Sequence, residues 1–125
     1  MIPHYKNIHN RFKINGIHLD KEAVFVFSYS LIKEGDAFEK ELGNFLLDWF
    51  DDKETIELTT SGTTGTPKNI TINKQSMVHS AIATADFFDL HPQDKALLCL
   101  PPRYIAGKMM IVRALIIGLE LDILT

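Results

Sequence analysis

A single cysteine, Cys99, leaves the 125-residue chain without an internal disulfide, and no Cys/His cluster stands at metal-ligand spacing. Both absences fit a reducing compartment, and we expect the cytoplasm. An apolar h-region is lacking as well, because Met1 to Phe12 is polar and carries two histidines, so we expect no secretion. The longest apolar stretch, Met109 to Leu119, is broken by Arg113 and falls short of the ~20 residues of a membrane span, so it reads as a buried helix. Net positive charge is also missing: the chain carries −3, which removes any overall attraction to nucleic acid. The charge is uneven, with seven basic and eleven acidic side chains in residues 1–57 against six and five in residues 58–125. The second part is therefore the better host for an anion.

What is present is an ordinary globular composition, 46% hydrophobic and 23% charged. Phe12 to Leu19 alternates around Asn15-Gly16, the dipeptide of a type I′ hairpin. Asp20 can cap a helix bearing Val24, Phe27 and Leu31, although Val24 to Phe27 also tolerates a strand. Asp36 and Glu39 make a capping-box pattern ahead of the clearest helix, striped by Phe38, Leu42, Phe45, Leu46, Trp49 and Phe50. Asp48, Asp51 and Asp52 oppose the dipole at its end and predict a loop.

Beyond that loop, Ile56 to Thr60 and Asn69 to Ile72 have strand chemistry. Asn73 caps a helix to about Asp89 with Met77, Ala81, Ala85 and Phe88 on one side. Ala96 to Leu100 reads as a strand buried on both faces, with Cys99 a small core residue; a helix over Lys108 to Leu119 and a buried strand at Leu121 to Leu124 follow. Strands alternating with helices from residue 56 onward predict an α/β fold with a largely parallel sheet. The histidines form no i, i+4 metal pair.

The segment with chemistry in it is Leu58 to Lys68, where six hydroxyl side chains, two glycines, a proline and a lysine lie between two strand candidates. Gly62 and Gly65 let backbone N–H groups converge on one point, the hydroxyls add donors, and Lys68 adds a compact cation. It is not a Walker A loop, since Pro67 stands five residues after Gly62 and a strand follows Lys68. Composition alone fits a plain Ser/Thr/Gly surface loop better.

The order Thr-Ser-Gly-Thr-Thr-Gly-Thr-Pro-Lys over Thr60 to Lys68 resembles the phosphate loop of the adenylate-forming (AMP-binding) superfamily. That resemblance implies that Thr60, Ser61, Gly62, Thr63, Thr64, Gly65, Thr66 and Lys68 hold the phosphates of ATP. A second segment, Leu100-Pro101-Pro102-Arg103-Tyr104-Ile105-Ala106-Gly107-Lys108-Met109-Met110, resembles the superfamily's later Leu-Pro motif. The implied acyl pocket contains Tyr104, Ala106 and Gly107, with Tyr104 standing where many relatives have His. Within the superfamily, the run from Tyr104 to Leu115 is most similar to the o-succinylbenzoate–CoA ligases of menaquinone biosynthesis. Arg113 could then face an acidic substrate, or equally snorkel from an apolar helix.

The resemblance implies an acid–CoA ligase that activates a carboxylate as acyl-AMP and passes it to coenzyme A, using ATP and Mg²⁺. Its partners would be a small carboxylic acid, ATP and CoA, with a homo-oligomer as a further option. No catalytic residue and no metal ligand is assigned in this chain. The superfamily's adenine-binding, ribose-binding, hinge and C-terminal lysine motifs do not occur before Thr125. The expectation is that residues 1–125 are a partial N-terminal adenylation domain, inactive alone, with Leu119 to Leu124 an uncovered and aggregation-prone strand. The alternative is a non-catalytic phosphate-binding or interaction module built on the same loop.

Overall fold

The structure is a computed structural model that describes residues 2–60 and 66–123. Its elements run β1 (Lys13–Ile14), β2 (Ile17–His18), α1 (Lys21–Glu34), α2 (Ala37–Trp49), β3 (Thr55–Thr60), β4 (Lys68–Asn73), α3 (Lys74–Phe87), β5 (Lys95–Leu98), α4 (Ile105–Ile117) and β6 (Glu120–Ile123). The α/β class expected from the sequence is what is found, divided between a four-stranded sheet ordered β2-β1-β6-β5 and a separate two-stranded sheet, β3-β4.

Local signals account for most boundaries. Asn15 and Gly16 take φ of 51° and 78° at the β1–β2 turn, as a type I′ turn requires. Asp20 accepts from the Ala23 N–H and resolves the helix-or-strand ambiguity of Val24 to Phe27 in favour of α1. At α2 both halves of the capping box form, Asp36 to the Glu39 N–H at 2.8 Å and Glu39 to the Asp36 N–H at 3.2 Å. Asn73 caps α3 through the Ser76 N–H.

The structure corrects several expectations. Strand β6 is interior, paired in parallel with β1 and β5 so that Leu121 lies between Ile14 and Ala96. Leu121 is fully buried; the uncovered terminal strand expected from the sequence is instead the middle of the sheet, because the N-terminal hairpin returns to cover it. Strand β5 is the edge, with Leu98 buried but Leu97 exposed, and Cys99 is exposed just beyond it. Phe88 is 65% exposed beside the exposed Phe87, since α3 ends before its apolar stripe reaches that turn. The parallel sheet also excludes β3 and β4, whose antiparallel register runs from Thr55 opposite Asn73 to Thr60 opposite Lys68.

Helix α4, apolar almost all round, is the central element: Ile111, Val112, Ala114 and Leu115 are fully buried. It connects β5 to β6 and packs against α3, while α1 packs against α2. One core cluster joins these layers, from Phe12 and Ile14 through Leu42, Leu46 and Trp49 to Val78, Leu98 and Leu121.

The acidic loop after α2 is pinned by a buried cation. Lys74, 0% exposed at the start of α3, donates from Nζ to Asp51 Oδ1 at 2.7 Å and to the Lys53 carbonyl at 2.6 Å. Burial pushes the Asp51 pKa up, but the Lys74 hydrogen bond, the Lys53 N–H and both ammonium charges outweigh it. The net shift is below the ordinary value. A depressed carboxyl pKa stabilises the fold above the unfolded value of about 3.9 and ceases to do so as pH falls through the folded value. Asp51→Asn should therefore lower unfolding free energy by roughly 1 to 2 kcal/mol at neutral pH. That difference should begin to narrow as pH falls past the unfolded carboxyl value of about 3.9 and go on narrowing through the lower folded value, in urea titrations across pH. A deficit that stays constant into acid would contradict the ion pair's role.

Candidate functional site

Strand β3 alternates strictly: Ile56 and Leu58 are buried, while Glu57 and Thr59 face outward. Its antiparallel partner begins at Lys68, so the loop sequence falls between the paired ends of β3 and β4. The expected ligands Ser61, Gly62, Thr63, Thr64 and Gly65 lie outside the described residues. Thr60 ends β3, Thr66 is exposed, and Lys68 is exposed at the first position of β4. Thr59 Oγ1 donates to Asn69 Oδ1 at 3.2 Å, tying the strands together just below the tip.

A cavity of about 390 Å³ opens against this hairpin, lined by Glu57, Leu58, Thr59 and Pro67 on one side and by Arg103, Tyr104 and Lys108 on the other. Two segments more than thirty residues apart thus share one concavity, of a size suited to a small molecule. The second wall is built by the 99–104 loop and the first turn of α4. Gly107 makes it possible, because a Cβ there would stand 2.3 Å from the Pro101 carbonyl oxygen. Only glycine lets the helix start against that loop.

Of the residues expected at an acyl pocket, Tyr104 lines the cavity and is 39% exposed. Gly107 is buried behind it against Pro101, and Ala106 is exposed outside it. Arg113 is not brought there. Five residues beyond Lys108, it is rotated about 140° around the helix; it is half-buried, and burial lowers its pKa. Arg103 contributes a cation instead, held by Glu41 on α2 at 3.2 Å and lying 5.0 Å from the Tyr104 ring centroid.

Lys108 is the lining residue to which the sequence assigned no role. It is 8% exposed, donates from Nζ to the Pro102 carbonyl at 2.6 Å, and sits 5.0 Å from the centroid of Phe45. Burial pushes its pKa below the ordinary lysine value against the opposing pull of Asp48 and Glu41. The one sequence signal was a lysine in the first turn of an otherwise apolar helix. Periodicity treats such a residue as a surface lysine, and only the loop folded over it makes it an interior one. Among the described residues no group of three His, Cys, Asp or Glu could hold a metal ion.

Comparison with known proteins places this arrangement. A family profile described as AMP-binding enzyme matches residues 52–125. Two curated proteins of Mycobacterium tuberculosis, from strains CDC 1551 / Oshkosh and ATCC 25618 / H37Rv, are each a probable 2-succinylbenzoate–CoA ligase. Each is 40% identical over 68 residues, 54% of this chain. The chain spans 17% of their length. Among solved structures, an acyl-CoA synthetase (AMP-forming)/AMP-acid ligase II-like protein from Dyadobacter fermentans superposes with a TM-score of 0.68 at 32% identity, over 78% of this chain and 28% of that one. A Vibrio cholerae adenylation domain in complex with glycyl-adenosine-5'-phosphate superposes with a TM-score of 0.50 at 23% identity, over 66% of this chain and 16% of that one, a likeness of fold alone.

Proposed function

The chain belongs to the AMP-binding enzyme family, and from that premise we propose that it is the N-terminal portion of the adenylation domain of an ATP-dependent acid–CoA ligase, with 2-succinylbenzoate the preferred acid. One observation carries the reading: strand β3 with Pro67, which flank the loop sequence, and Arg103, Tyr104 and Lys108 of the second segment wall a single cavity. The 40% identity to probable 2-succinylbenzoate–CoA ligases supports the choice of acid.

In this reading a carboxylate oxygen attacks the α-phosphorus of ATP, the bond to the bridging oxygen breaks, and pyrophosphate leaves. The thiol of coenzyme A then attacks the acyl carbon and releases AMP. The carboxylate is a weak nucleophile and the phosphates are densely charged, so the protein's work is positioning and charge neutralisation. The hairpin supplies backbone N–H groups, hydroxyls and the Lys68 ammonium toward the pyrophosphate, while Tyr104 offers an aromatic wall to the acid. Mg²⁺ would ordinarily share the phosphate charge, but the described residues offer it no ligand cluster.

The test is a ligase assay on the protein that carries this segment, with a panel of aliphatic and aryl acids and mass-spectrometric detection of AMP and CoA thioesters. We expect 2-succinylbenzoyl-CoA and AMP in equal amounts. ATP binding without AMP release for any acid would favour a phosphate-binding module and overturn the ligase reading.

A further inference from the structure

Burying an ammonium is costly unless charge and hydrogen bonds compensate it. The long stem of Lys108 would normally let its head snorkel to water. Here it does not: the side chain is folded under the 99–104 loop. One of its three donors is used by the Pro102 carbonyl, and Phe45 covers one side. No carboxylate lies within 4 Å of it among the described residues. The two acids near enough to favour its charge, Asp48 and Glu41, are both on α2, and neither forms an ion pair with it. Glu41 is paired to Arg103, and Asp48, its carboxyl pushed up by its own burial and by Asp51, acts on Lys108 only from beyond ion-pair distance. Yet Lys108 lines the 390 Å³ cavity, facing the β3 wall below the phosphate-loop hairpin.

We infer that Lys108 is an oxyanion-binding residue of this cavity, its two remaining donors and its charge taken up by a carboxylate of the acid or by a phosphate oxygen of the nucleotide. The inference rests on the ligase reading and goes beyond it by assigning a charge-recognition role to a residue outside the phosphate loop. An oxyanion in the cavity supplies the close counter-charge that Asp48 and Glu41 do not, so the cost of burying the ammonium is offset on binding. The same arrangement explains the loop: the Pro102 hydrogen bond keeps the ammonium from swinging out to solvent when the cavity is empty.

Calorimetric titration of the protein with pyrophosphate and with 2-succinylbenzoate, for the wild type and for Lys108→Met, Lys108→Gln and Lys108→Arg, tests this. Lys108→Met should weaken one of the two anions by about 10- to 100-fold, and the anion affected identifies the source. Its thermal midpoint should be no lower than the wild type's, because a buried unpaired charge has been removed. Lys108→Gln can still donate to Pro102 but carries no charge. It should show the same affinity loss, which keeps the test valid if Lys108→Met folds poorly, while Lys108→Arg should retain most of the binding. Affinities within twofold of wild type for both anions would overturn the assignment, and a lowered midpoint alongside them would leave Lys108 as a tether for Pro102. A wild-type protein that binds neither anion would overturn the ligase reading as well.

Discussion

Lys68→Ala should lower ATP–pyrophosphate exchange by about two to three orders of magnitude, with circular dichroism unchanged. The residue opens β4 directly opposite Thr60, at the end of the strand pair that borders the loop sequence. A compact ammonium neutralises charge that builds on departing pyrophosphate, and that stabilisation is greater in the transition state than in bound ATP. The loss should therefore appear in the exchange rate more than in the KM for ATP. Gly65→Val should give a loss of the same order by obstructing the backbone donors that the glycine frees. Lys68→Arg should recover part of the rate, because the charge remains but its geometry changes. Lys33→Ala, an exposed lysine in the last turn of α1, is the control and should stay within twofold. An unchanged exchange rate in Lys68→Ala would remove the phosphate loop from the mechanism.

Trp49→Ala should produce the largest loss of stability, about 3 to 5 kcal/mol, a large share of the 5 to 15 kcal/mol typical of a domain. Trp49 is 0% exposed, its Nε1 donates to the Tyr5 carbonyl at 2.8 Å, and its ring meets Tyr5 edge-on at 6.1 Å and Phe45 at 5.9 Å. It thereby fastens the N-terminal segment to α2, and Gln75 fastens the same segment to α3 through the Tyr5 N–H and the Pro3 carbonyl. Truncation leaves both a cavity and an unpaired carbonyl. Trp49→Phe should refill much of the volume while leaving the carbonyl unpaired, at about 1 to 3 kcal/mol. Denaturant titration followed by far-ultraviolet circular dichroism measures both, and hydrogen exchange at the Tyr5 amide should quicken in the alanine variant. A loss below 1 kcal/mol for Trp49→Ala would mean that the segment does not depend on this anchor.

Much of the fold is legible in the sequence because its signals are local. Asn15-Gly16, Asp20, the Asp36 and Glu39 box and Asn73 each determine one boundary through a turn or a cap, and the structure places all four. Burial of the last two strands was not legible. Ala96 to Leu100 and Leu121 to Leu124 carry similar apolar runs, and nothing local distinguishes an edge from an interior strand. That depends on which remote segment pairs beside them, and β1, more than a hundred residues earlier, takes the position next to β6. Cys99 was misplaced for the same reason, lying one residue beyond an edge strand.

For the candidate site the division is sharper. By itself the sequence determined the chemistry available: hydroxyls, glycines and a lysine in the order Thr60 to Lys68, and an aromatic at Tyr104 after Pro101-Pro102. Residue type and order are covalent facts that no packing alters, and they were enough to indicate the family. Only the tertiary structure decided which side chains share a cavity. It set Tyr104 and Lys108 across from β3, put Gly107 behind them as a spacer and turned Arg113 away. The reason is rotational: each helical residue advances by about 100°, so one pinning contact fixes the direction of every other. In α4 that contact is Gly107 on the Pro101 carbonyl, and it turns Lys108, otherwise an ordinary lysine, into a buried cation facing the cavity.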